Sequence, residues 1–120
     1  MFGFSRKERE KKLTDAHNEL DRMFKDVEGF QKVYSDRWVD GKPVQFGKLA
    51  QAGFKDLAQE FERDHAQLND RYCFYFHNTT QAFHSGHDAK FIKDGADTVR
   101  DCMSQMRRIE SYALSVLNKL

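Results

Sequence analysis

A single proline in 120 residues leaves little to interrupt helices, and the only one sits at position 43. Two cysteines, Cys73 and Cys102, are too few for a disulfide framework. No stretch approaches the ~20 apolar residues that cross a bilayer. The first residues lack an apolar run of signal length, and glycine stands at position 3 rather than 2, against N-myristoylation. A cytoplasmic, reducing setting is therefore expected. Excess charge of one sign is also missing, with 20 basic against 19 acidic residues. A nucleic-acid binder usually carries a strong basic field, so no nucleic-acid partner is expected. No glycine-rich phosphate loop, no Gly-x-Ser-x-Gly elbow and no Cys–His arrangement with an orienting group occurs. An enzyme is accordingly not the favoured reading.

What is present is charge and aromatic rings. Charged residues make up 32% of the chain, and there are eleven Phe, four Tyr and one Trp. Disordered chains are poor in aromatics, so this chain folds. Its length suits one domain spanning residues 1–120. The clearest pattern lies in the last third. Ile92, Val99, Met106, Ala113 and Leu120 fall seven apart, and Gly95, Cys102, Ile109 and Val116 follow the first four by three. That a/d pattern puts one apolar stripe along a long helix, which needs partners of similar length.

Ser5 and Glu8 have capping-box spacing, so a helix is expected to start there. Its stripe runs Leu13, Ala16, Leu20, Met23, Val27, Phe30 and Tyr34, with opposite charges at i, i+4 such as Asp21–Lys25 outside. The pattern stops at Ser35-Asp36. Asp40-Gly41, between Trp38-Val39 and Lys42-Pro43-Val44, reads as a hairpin turn. Trp38 is expected to fold back as a lid on the core. A second helix is expected from about Phe46, with an apolar face of Ala50, Phe54, Leu57, Phe61, His65, Leu68 and Tyr72. A break is expected within residues 77–87, with Ser85 as N-cap of the last helix.

These elements imply an all-α fold: an elongated antiparallel three-helix bundle with a short hairpin-like loop between helices 1 and 2 and a break near residues 77–87. Turns near Asp40 and Ala82 would set Leu20 beside Phe61, and Phe61 beside Met103. In that register Cys73 and Cys102 lie several turns apart, beyond the ~7 Å Cα separation a disulfide spans, so two free thiols are expected.

The register also gathers aromatic residues at one end. Tyr72, Phe74, Tyr75 and Phe76 form a run with no polar face, and Phe2, Phe4 and Phe83 join them. Such a run needs cover on several sides. The N-terminal arm, a second copy, another protein or an apolar ligand would each provide it. The favoured reading is a small non-catalytic interaction protein that self-associates as a homodimer, or binds a protein partner, through this end. The alternative is a ligand- or metal-binding bundle using the same end. His77, His84 and His87 fall within eleven residues, a set that Zn, Ni or Cu would accept as a cofactor, with Asp88 as a fourth ligand or orienter. The spacing is no recognised metal signature, and a solvated turn explains it more simply. His65, on an apolar face, reads as a buried neutral imidazole with one hydrogen-bond partner. Phe2 and Phe4, ahead of Arg6, Lys7, Arg9, Lys11 and Lys12, also resemble a weak membrane-surface anchor, blunted by Glu8 and Glu10.

Overall fold

A computed structural model describes residues 5–34, 38–39 and 42–120 of the chain. The fold is all-α, but the described residues form four helices rather than three. They are α1 (Arg6–Tyr34), α2 (Val44–Gln51), α3 (Lys55–His84) and α4 (Ala89–Asn118), with a small hairpin of β1 (Trp38–Val39) and β2 (Lys42–Pro43) between the first two. No helix is long and apolar enough to cross a membrane among the described residues.

The start of α1 is a reciprocal capping box. Glu8 N–H donates to Ser5 Oγ at 3.2 Å, and Ser5 N–H donates to Glu8 Oε2 at 3.3 Å. In the hairpin Val39 pairs with Lys42 and Trp38 with Pro43, antiparallel. The Asp40-Gly41 turn between them lies outside the described residues, as does the Tyr34 side chain of the α1 stripe.

The expected second helix is broken near its start. Gly53 takes φ +97°, Phe54 N–H donates to Leu49 O, and Gly53 N–H donates to Ala50 O. That is a Schellman motif, which satisfies the last carbonyls of α2 and needs a residue at positive φ. The Phe46-to-Tyr72 periodicity runs straight through this point and conceals it.

The break expected over residues 77–87 is correspondingly narrower. α3 continues through His84, because Asn78 and Thr80 bond back to the carbonyls of Phe74 and Phe76 at 2.8 and 2.9 Å within the helix. It ends on a second Schellman motif, with Gly86 at φ +83° and His87 N–H donating to Ala82 O. Asp88, not Ser85, caps α4, its carboxylate accepting from Phe91 N–H at 3.0 Å.

Both corrections shift the register. α3 and α4 form one long antiparallel hairpin turning at residues 85–88, so Phe61 meets Tyr112 (ring centroids 5.6 Å apart), not Met103. α1 crosses only the half of this hairpin nearest the turn. It runs antiparallel to α3, with His17 near Phe83, Phe24 near Phe76 and Phe30 near Tyr72. Asp26 pairs with Arg100 of α4 at 2.6 Å. The other half is covered by α2 and the β-hairpin.

Two cores result. Ala16, Leu20, Met23, Val27 and Phe30 of α1 pack with Tyr72 and Ala82 of α3 and with Ile92, Val99 and Met103 of α4. Phe46 and Leu49 of α2 pack with Ala58, Phe61 and Ala113. The α4 heptad expectation holds at Ile92, Val99, Met106 and Ala113, all fully buried. The molecule measures 68 × 21 × 20 Å. Residues 5–15 at the start of α1 are all exposed, and Arg9, Lys12 and Leu13 lie beside Gly86, His87 and Asp88 of the α3–α4 turn.

Candidate interaction surface

The aromatic run divides between two faces of α3. Tyr72 is buried and Phe76 and Phe83 are half-buried, all packed in the core shared with α1. Gln31 of α1 reaches the Tyr72 hydroxyl at 3.5 Å, and burial nevertheless raises the phenol pKa. Phe74 turns outward and is 62% exposed, while Tyr75 is half-buried and also packs against this core. The middle of α1 thus covers Tyr72 and Phe76 on one side of the run. Phe2 and Phe4 themselves lie outside the described residues.

On the side of the α3–α4 pair away from α1 runs an open groove of about 490 Å³. Its floor is made of small residues, notably Thr79, Ala82 and Gly95. Close approach of the two helices creates that floor: a Cβ on Gly95 would collide with Thr79 Oγ1, and Thr79 is 3% exposed. Tyr75 stands at one end, with Phe74 packed edge-on at 5.4 Å and the Arg71 guanidinium over its ring at 5.5 Å. Phe91 stands at the other, 53% exposed and stacked on His87 at 4.3 Å. The one carboxylate in the lining is Asp94, and the lining holds no lysine or arginine among the described residues.

No family model, curated protein or solved structure matches the chain.

The three expected metal ligands do not converge. His84 meets Phe83 edge-on, His87 stacks on Phe91, and His77 is exposed on α3. Among the described residues no group of three or more His, Cys, Asp or Glu side chains is placed to hold a metal ion.

A second polar constellation escaped the sequence reading in part. Glu110, 2% exposed, accepts from Trp38 Nε1 at 3.0 Å, and its backbone carbonyl accepts from Gln45 Nε2 at 3.1 Å. His65, 4% exposed, places Nε2 3.5 Å from Glu110 Oε2, and its ring meets Trp38 and Phe46 edge-on. Trp38 is the expected lid, yet it is pinned by a carboxylate rather than by apolar contact alone. One signal could have found Glu110: it continues the 92, 96, 99, 103, 106, 113 spacing of buried α4 positions. A charge at such a position demands a buried partner.

Both cysteines are free, Cys73 exposed and Cys102 buried. The geometric reason differs from the one expected. The corrected register sets them at similar heights along the α3–α4 pair, but Cys73 points outward while Cys102 faces the core. Burial raises both thiol pKa values, helped at Cys73 by Asp70.

Proposed function

We propose that this chain is a small interaction protein that acts by burying the α3–α4 groove against another protein chain. One observation carries the reading. α1 covers one side of the α3–α4 pair, while on the other side Tyr75 and the exposed Phe91 flank a groove with a small-residue floor. Solvent-facing aromatics grouped around a concave surface favour protein contact, because each ring brings a large area at a low cost in side-chain entropy.

The proposed contact residues therefore change from those that the aromatic run alone suggested. Tyr72, Phe76 and Phe83 hold α1 in place, while Tyr75 and Phe91 meet the partner. Association measured by light scattering over a concentration series tests this. Phe91→Ala and Tyr75→Ala should weaken self-association, or binding to a partner once one is in hand, by about 2 kcal/mol each, and the exposed Phe91→Ala should leave the melting temperature nearly unchanged. Phe76→Ala should do the reverse, lowering stability by about 3 kcal/mol. Association indifferent to both Phe91→Ala and Tyr75→Ala would count against the groove.

A further inference from the structure

We propose that the open face of the α3–α4 pair receives the same face of a second copy, side by side and with both turns at one end, so that α3 of each copy lies along α4 of the other. The proposal rests on the interaction reading above and names its partner.

The first argument is area. Ala58, Phe61, His65, Tyr72 and Thr79 form the buried stripe of α3; α2 packs on its first part and α1 on the rest. Both covering helices therefore lie on one side. The other side is exposed along its length, at Gln67, Arg71 and Phe74 of α3 and at Asp94, Asp101 and Tyr112 of α4. Each helix has 30 residues, and two such helices side by side are ~45 Å long and ~20 Å wide. That face offers ~900 Å² per copy. A standard stable interface buries ~800 Å² per partner.

Charge supplies the second argument. Three contacts fix the level of α3 against α4: Phe61 on Tyr112, His65 on Glu110 and Thr79 on Gly95. In that register Arg71 stands within ~3 Å of the level of Asp101, and Asp64 within ~3 Å of the level of Arg108. Neither pair forms within one copy. The Arg71 guanidinium lies over Tyr75, Asp101 accepts from Gln105 Nε2 at 2.7 Å, and Asp64 meets Arg63 at 3.6 Å.

A two-fold axis along the long direction sets α3 of one copy against α4 of the other at equal height, and the two contacts are identical, as a closed pair requires. The four helices make a square in which every neighbour is antiparallel. Around the square at the level of Arg71 the charges alternate: Arg71, Asp101, Arg71, Asp101. About two turns away they alternate again, as Asp64, Arg108, Asp64, Arg108. Each cation gains an anion from the second copy. Nearer the turn, groove meets groove. Phe91 comes level with Ala82 of the other copy, a small residue of the floor. No Asp or Glu opposes Asp94, because α3 carries no Asp, Glu, Lys or Arg from Tyr72 to His84. A two-fold across the helices would instead lay each groove on the far end of the other copy.

The test is light scattering of the full chain over a concentration series, with four variants: Arg71→Asp, Asp101→Arg, the double variant Arg71→Asp/Asp101→Arg, and Phe91→Ala. All three positions are exposed, and circular dichroism checks that the helices persist. The expected result is a wild-type dimer whose dissociation constant rises about thirtyfold in each single charge reversal. In the double variant most of that loss returns. A double variant weaker than either single one would overturn this arrangement, since it would mean that Arg71 and Asp101 face other charges, and would leave the groove reading intact. A dimer that Phe91→Ala loosens and neither reversal does would also overturn the arrangement and spare the groove. A dimer that no variant loosens would overturn both. A wild-type chain that stays monomeric into the hundreds of micromolar overturns the pairing and leaves only a different protein as the groove's partner.

Discussion

Glu110 is the residue on which the far half of the molecule turns. It joins the β-hairpin through Trp38, α2 through Gln45 and α3 through His65, while sitting on α4. A carboxylate buried this deeply is held by few donors, since Oε2 and His65 Nε2 both lack a hydrogen bond within usable geometry. Removing one partner of such a set leaves the others buried and unpaired, which costs more than the set contributes when complete. Glu110→Ala should therefore lower stability by about 3 kcal/mol, and Glu110→Gln by less, because the amide oxygen still accepts from Trp38. Trp38 is the chain's single tryptophan, so its fluorescence reports the site directly. Urea unfolding followed at that signal gives the measurement, and a loss below about 0.5 kcal/mol for Glu110→Ala would show the cluster to be incidental. The sequence alone made Trp38 a lid and His65 a buried imidazole with a partner. It could not make Glu110 that partner, because a glutamate among Arg107, Arg108 and Ser111 reads as surface until its place on the stripe is counted.

Among the elements, α3 and α4 are joined by their smallest residues. Gly95 lets the two backbones come close enough for Thr79 to be enclosed between them, and its missing Cβ is what the Thr79 hydroxyl and methyl occupy. Gly95→Ala should gain helix propensity and still lose about 1–3 kcal/mol, because Thr79 is rigid at χ1 and cannot swing away. Thr79→Ala removes the colliding atoms. In the double variant Gly95→Ala/Thr79→Ala much of the loss should return, a coupling that a thermal-denaturation cycle reads directly. Additive losses would mean that the approach is set elsewhere. The element scale also shows what periodicity conveys and what it hides. The a/d stripe of α4 was legible at Ile92, Val99, Met106 and Ala113, all buried, but not at its end, since Leu120 lies past the helix and is 66% exposed. So was the start of α1, since Ser5 and Glu8 carry their own capping chemistry. The two Schellman glycines were not equally plain. Gly86 sits in a polar turn inside the break expected over residues 77–87, whereas Gly53 interrupts a face that stays apolar on both sides. Missing Gly53 turned two helices into one and moved the α1–α3 register, and with it the groove. The candidate site was legible in composition but not in direction: the run at residues 72–76 was found, while its division between a covered and an open face depends on where α1 lands.

At the scale of the whole molecule the chain is long because its third layer is divided. α3 and α4 have equal length and pair along all of it. α1 shields the half near the turn, and α2 and the hairpin shield the rest. A round protein of this length has a radius of gyration of about 14 Å; this one has 18.7 Å. Small-angle X-ray scattering separates the arrangements that the same helices allow. An isolated monomer should give a value near 18.7 Å and a largest dimension near 68 Å, somewhat raised by hydration. Two copies meeting end to end should lengthen the particle far more than they thicken it, so the cross-section stays that of one copy. Side-by-side pairing through the same groove would do the opposite, keeping the length and thickening the section. A dimer with one molecule's length and twice its cross-sectional mass would thus place the contact along the open face of the α3–α4 pair.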